Sequence, residues 1–208
     1  MSFFVIIGFW KGEYTKYNDA FEKFPVVETA RLLMREMEDA DVSDIYEYAK
    51  AKDSFIYTDG FPTEIEEIAF MINIWRTEAY PSKRFIRWSI VLNEEDKVIG
   101  GIYLFLPAGN DESGRRMDIG YEIAKDYWNK GYASEAIEAI SRYALQNMGL
   151  VRVQAQIIPE NIGSIRACEK AGFENEGTLR NYCNYERNGN VLNTMVMMSR
   201  IQEDIKIK

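Results

Sequence analysis

The sequence predicts a mixed α/β (α+β) fold in a single domain, a twisted sheet of about seven strands flanked by helices. Three features lead there. Apolar residues recur with the period of two of a strand in some stretches and with the longer period of a helix in others. The best amphipathic helix, 133–148, lies between strand patterns at 116–124 and 151–158, an order that favours a parallel pair. Hairpin patterns stand on either side, 85–92 with 97–106 and about 177–186 with 191–201, the second joined by the strong turn pair Asn188-Gly189.

Residues 1–24 form an aromatic-rich N-terminal extension that includes Phe3, Phe4, Phe9, Trp10, Tyr17, Phe21 and Phe24. So many rings call for cover, from the body of the domain or from a second copy in a homodimer. The domain proper is 25–208. Residues 26–35 read as a strand, with Arg31, Leu33 and Arg35 opposed to Leu32 and Met34. A helix follows at 39–50, with Val42, Ile45, Tyr46 and Ala49 along one face. A second helix spans 63–80, with Thr63 as its cap and Glu66 at the capping-box position. Gly100-Gly101, inside the strand at 97–106, signals a bulge or a close backbone approach. Residues 109–115 are a polar loop. The helix at 133–148 buries Ala133, Ala136, Ile137, Ile140, Ala144 and Met148, and Gly149 terminates it. In the next strand Val151, Val153, Ala155 and Ile157 alternate with Arg152, Gln154 and Gln156. A short helix at 161–171 ends at Gly172.

Composition removes several function classes. Twenty-five basic against thirty-three acidic residues leave a net charge of −8, which argues against nonspecific nucleic-acid binding. The charge suits a cationic substrate such as an amine, and plain solubility equally well. Two cysteines, Cys168 and Cys183, give no disulfide framework, so a reducing cytoplasm is the expectation. The apolar run Phe3 to Trp10 lacks a basic lead-in and a small-residue cleavage site, which speaks against a signal peptide. With no histidine in the chain, the commonest general base, Ser-His-Asp and Cys-His machinery and most transition-metal sites drop out, and no metal is expected. Chemistry falls to carboxylates, hydroxyls, thiols and backbone.

The stretch Met117 to Ser134 is a strand, a polar turn and a helix start, with small residues at Gly131 and Ala133. Free N–H groups and the dipole at a helix start suit that end to a phosphate. The turn is neither a Walker loop nor the three-glycine dinucleotide fingerprint. Close packing of helix on strand also demands small residues here.

Trp128-Asn-Lys-Gly131-Tyr-Ala133 resembles the acyl-CoA loop of the GNAT N-acetyltransferases, Gln/Arg-x-x-Gly-x-Gly/Ala. Tyr127-Trp128 is similar to the branch that acetylates ribosomal-protein N-termini, which usually has glycine where Asn129 stands; asparagine tolerates the left-handed conformation better than most residues. Glu28-Thr-Ala-Arg31-Leu-Leu-Met-Arg35 resembles that branch's opening strand. A further motif, Asn161-Ile-Gly-Ser164 with Cys168 and Gly172-Phe173, matches the family's Asn-x-x-Ser/Ala helix; Asn161, Ser164 and Cys168 share one helical face. By itself that segment reads as a helix with Asn161 as N-cap. The resemblance covers roughly 25–201.

The resemblance implies a splayed parallel strand pair whose gap takes the pantetheine of acetyl-CoA against the main chain of Tyr121 and Ile123. It places the pyrophosphate on the amides of Trp128, Asn129, Lys130, Gly131, Tyr132, Ala133 and Ser134, with Asn161, Ser164 and Cys168 lining the cofactor site. A backbone N–H near Glu122 or Ile123 would polarise the thioester carbonyl. Many members of the superfamily carry a tyrosine as general acid where this chain has Cys168, so Ser164 becomes the group expected to meet the departing thiolate. Glu122 and Asp118, on one face of their strand, are the candidate bases, and each can equally be a solvated or salt-bridged carboxylate. Tyr182, Tyr185 and Glu186 lie where the family's last hairpin reaches the acceptor, and 55–61 forms part of the rim.

An α-amine, with a pKa near 8 against about 10.4 for a lysine side chain, is partly neutral at physiological pH and needs weak base help. The expectation is therefore direct attack of a protein or peptide N-terminal amine on acetyl-CoA. The alternatives are acetylation of a small amine such as a polyamine or an antibiotic, and a noncatalytic acyl-CoA sensor.

Overall fold

A computed structural model describes residues 16–51, 55, 57, 61–107, 116–183 and 193–205. Their strands form one eight-stranded sheet in the order β1-β2-β3-β4-β5-β6-β8-β7. The strands are β1 (Val27–Glu28), β2 (Leu32–Arg35), β3 (Phe85–Leu92), β4 (Lys97–Phe105), β5 (Arg116–Ile123), β6 (Arg152–Ile157), β7 (Glu174–Cys183) and β8 (Asn193–Ile201). The count exceeds the expected seven because 26–35 is two strands: Thr29 turns the chain, its N–H bonded to the Leu32 carbonyl at 2.9 Å. All neighbouring pairs are antiparallel except β5 with β6.

Helices cover both faces. On one lie α1 (Val42–Ala49) and α2 (Ile65–Ile74), whose Ile45, Tyr48, Ile68 and Ile72 pack with Met37, Val91 and Val98. Helix α2 starts later than expected: Glu64, not Thr63, is its N-cap, and no side-chain cap forms. The chain then makes one π turn, Trp75–Ala79, in place of a straight α-helical end at residue 80. On the other face lie α3 (Tyr132–Gln146) and α4 (Ile162–Lys170). Ala136, Ile137, Ile140, Ala144 and Met148 are wholly buried against Ile119, Ile123, Val153 and Ala155. Truncating Ile140 to alanine here would cost about 2–5 kcal/mol. Gly149 and Gly172 end these helices at φ +74° and +86°, as expected of glycine stops.

The described part of the aromatic extension docks on the body. Tyr17 and Phe21 lie 5.2 Å apart, Phe21 meets Tyr80 at 5.3 Å, and Phe24 meets Trp88 at 5.9 Å. Residues 1–15, the polar loop 109–115, the turn Asn188-Gly189, and Tyr185 and Glu186 lie outside the described residues. The bulge signalled by Gly100-Gly101 is present. Val91 pairs with Val98 and Ile90 with Gly100, which leaves Ile99 as the extra residue. Among the described residues no helix is long and apolar enough to cross a membrane.

Candidate active site

Strands β5 and β6 pair over three positions, Arg116 with Arg152, Met117 with Val153 and Asp118 with Gln154. Beyond Asp118 they part. β5 runs on along β4 to Ile123, opposite Gly100, while β6 runs on along β8 to Ile157, opposite Val196. The result is a wedge with its vertex at Asp118 and Gln154. Alternation fixes which groups face it. Ala124 donates to the Ile99 carbonyl at 2.8 Å, so Glu122 and Gly120 also turn their backbone groups to β4, and Tyr121 and Ile123 turn theirs into the wedge. The Ile123 carbonyl accepts from the indole Nε1 of Trp128 at 2.6 Å, which closes off the outer end.

The turn that follows is built for close approach. Asn129 adopts φ +61° and Gly131 φ +85°, two left-handed residues that swing the chain onto the start of α3. Asparagine thus supplies the conformation for which the family uses glycine. Arg31 braces this turn from the β1–β2 corner. Its Nη1 donates to the Lys130 carbonyl at 3.0 Å, its Nε to Glu135 at 2.7 Å, and its guanidinium lies 4.5 Å from the centre of the Tyr132 ring. Glu135 stands in the first helical turn, where its charge would oppose an anion at the helix start; pairing with Arg31 offsets it.

On the α4 side, Asn161 caps the helix as expected, its Oδ1 accepting from the Ser164 N–H at 3.1 Å. Ser164 Oγ lies 2.7 Å from the phenol oxygen of Tyr121. Cys168 is fully buried nearby, and burial pushes its thiol up to about 12, a neutral group at physiological pH.

On the opposite face Asp118 and Glu122 are brought together by β5 and separated by surroundings. Asp118 is 2 % exposed; Gln156 Nε2 donates to its Oδ2 at 2.6 Å, and its Oδ1 has no hydrogen bond among the described residues. Burial raises its carboxyl above the usual range, against the pull of Gln154 and Gln156. Glu122 is 7 % exposed, held by Arg87 and approached by the Tyr48 hydroxyl at 3.5 Å. The guanidinium of Arg87 lies 4.4 Å from the Trp75 ring centre and 5.4 Å from that of Tyr103. Phe55 and Phe61 stack at 4.6 Å beside Tyr48, where the rim was expected. Tyr182 is exposed at the end of β7.

Residues 31–174 match the sequence profile of the acetyltransferase (GNAT) domain. The chain belongs to the GNAT acetyltransferase family. It is 34 % identical over 160 residues to the uncharacterized N-acetyltransferase YoaA of Bacillus subtilis, covering 76 % of this chain and 88 % of YoaA. It is likewise 34 % identical over 162 residues to N-acetyltransferase p20 of Bacillus licheniformis, covering 74 % of this chain and 85 % of p20. A GNAT-family acetyltransferase from Bacillus anthracis superposes with a TM-score of 0.71 at 26 % identity, covering 86 % of this chain and 99 % of that one. RimL, a ribosomal L7/L12 α-N-protein acetyltransferase solved with coenzyme A, shares the fold at 14 % identity with a TM-score of 0.74, covering 86 % of this chain and 99 % of its own.

This acetyltransferase uses more of its sequence than the motifs announce. Tyr48 carries no local signature, because it acquires its meaning from a partner, Glu122, that is distant in the chain, and Arg87 depends on the same partner. The side chain of Tyr121 was equally silent, since strand alternation says which face it takes but not that α4 delivers Ser164 to meet it. A signal for Arg87 does exist: a lone arginine inside the apolar run Phe85–Leu92 implies a buried counter-charge.

Proposed function

We propose that this acetyltransferase moves the acetyl group of acetyl-CoA to an N-terminal amine of a protein or peptide by direct attack. The observation that carries the reading is the wedge opening at Asp118 and Gln154 and leading outward to a turn with two left-handed residues at a helix start. The wedge offers the backbone of Tyr121 and Ile123 to a pantetheine, as an added strand would pair. The residues from Trp128 to Ser134 offer amides and a dipole to the pyrophosphate. With the phosphates at the outer end, the thioester points back toward the vertex, between Ser164 on one face and Asp118 on the other.

In this arrangement the amine comes in from the face that carries Asp118 and Glu122, beside the Tyr103 ring that lies over Gly120. Asp118, with Oδ1 unpartnered and its carboxyl raised by burial, takes the amine proton. Glu122, with both oxygens engaged by Arg87, holds the floor of the acceptor side. Ser164 meets the departing sulfur. An α-amine suits a site without histidine because it is already partly neutral. The likeness in fold to RimL, a ribosomal L7/L12 α-N-protein acetyltransferase, is in keeping with the same acceptor class.

The test follows free thiol release from acetyl-CoA with a panel of N-terminally free peptides, N-terminally blocked lysine peptides, a polyamine and an aminoglycoside, with product mass confirmed. Turnover on free peptide N-termini and not on blocked ones is the expected result. Preference for the polyamine or the aminoglycoside would overturn the acceptor. Tight binding of coenzyme A without turnover on any amine would turn the reading into that of a sensor.

A further inference from the structure

We infer that Tyr121 is a positioning residue that aims the Ser164 hydroxyl at the sulfur of the bound thioester, an inference that rests on the acetyl-transfer reading above. Ser164 is held at two points: its N–H by Asn161 Oδ1 at 3.1 Å, and its hydroxyl by the phenol of Tyr121 at 2.7 Å. A phenol is a far stronger acid than an aliphatic alcohol, so in a hydroxyl–hydroxyl pair the phenol donates and the alcohol accepts. The hydrogen of Ser164 is thereby left for a third atom. The backbone of Tyr121 borders the wedge where a pantetheine would lie, so that third atom is the sulfur.

Two protonated groups, a phenol and a thiol, stand at this point. Burial drives the Tyr121 phenol well above its ordinary value, and that of the neighbouring Cys168 thiol likewise. Tyr121 keeps its own proton throughout. During transfer the amine lone pair forms the new C–N bond. The C–S bond breaks with its electron pair going to sulfur, and the amine proton leaves to Asp118. The sulfur accepts a hydrogen bond from Ser164 and later takes its proton from water. Nothing is oxidised or reduced. The strand that lines the wedge thus supplies the aromatic hydroxyl that the α4 helix, with Cys168 at the corresponding position, lacks.

A double-mutant cycle on the full chain tests this, with acetyl-CoA and a peptide amine, reading kcat, KM and coenzyme A affinity for Tyr121→Phe, Ser164→Ala and the pair. Tyr121→Phe retains the ring and should lower kcat about fivefold to tenfold, the range of one lost hydrogen bond, with coenzyme A affinity within about twofold. The double variant should be no slower than Ser164→Ala alone, because Tyr121 acts through Ser164. Multiplicative losses, an unchanged kcat, or an effect confined to KM would overturn the inference while the acetyl-transfer reading stood. A wild-type chain without turnover would overturn both.

Discussion

Arg87 grips the Glu122 carboxylate on the sheet face that also carries Asp118, Nη1 to Oε2 at 3.3 Å and Nη2 to Oε1, with both side chains almost wholly buried. The pair sits against Gly101, where an added methyl would overlap both side chains and force them to shift. Arg87 is further enclosed by Trp75, Tyr103 and Phe61.

Removing one member of a buried pair leaves the other charge uncompensated. Arg87→Ala or Glu122→Gln should therefore cost about 3–5 kcal/mol in urea unfolding. The apolar double replacement Arg87→Met with Glu122→Leu should recover most of that loss. A Glu122→Gln chain with wild-type stability and a collapsed kcat would instead make Glu122 the base.

For Asp118 the expectation concerns pH. A base must be deprotonated, and burial raises this carboxyl, so kcat should fall as pH drops through a value above the ordinary carboxylate range. Asp118→Asn should remove that limb and lower kcat by about 10²-fold, the low end of general-base help, since an α-amine needs little. A pH profile of kcat identical in the variant and the wild type would refute the assignment.

The brace on the turn gives a binding prediction. Arg31→Met should weaken coenzyme A by about twofold to fivefold with kcat unchanged, a modest effect because its guanidinium is half exposed. Gly131→Ala should cost about 1–2 kcal/mol in stability from φ +85° alone, since the added methyl would meet Arg31 only at 3.4 Å. Calorimetric titration and thermal unfolding, each with and without coenzyme A, read the two effects.

Acid stability should report Glu176. Arg152 and Ser199 hold its carboxyl down at about 2. A lowered folded-state value means the stabilisation is present above the unfolded carboxylate value, near 4.3, and is lost as pH falls toward 2. Glu176→Gln should be less stable at pH 6 by under about 1 kcal/mol, because the pair is partly solvated, and the difference should vanish near pH 2. Urea midpoints across that range check it.

The sequence by itself determined the local pieces and the chemistry they exclude. Periodicity gave the helix that runs from Tyr132 to Gln146 and its buried stripe apart from Ala133, which is only half-buried at the helix start; spacing gave the turn with Gly131, and the absence of histidine removed whole classes of mechanism. Asn161 as a cap and the glycine stops at Gly149 and Gly172 were legible because capping acts within a few residues. The split of 26–35 and the π turn after Ile74 were not, since the Thr29 corner is held by Glu135 and the Trp75 turn packs on Phe85. Only the tertiary structure decided which carboxylate is locked by an arginine and which keeps one oxygen without a hydrogen bond among the described residues. Asp118 and Glu122 are alike in sequence, two polar residues on one face of one strand. Their difference comes from Arg87 on β3 and Gln156 on β6, and burial multiplies the effect of each neighbour where water would have screened it.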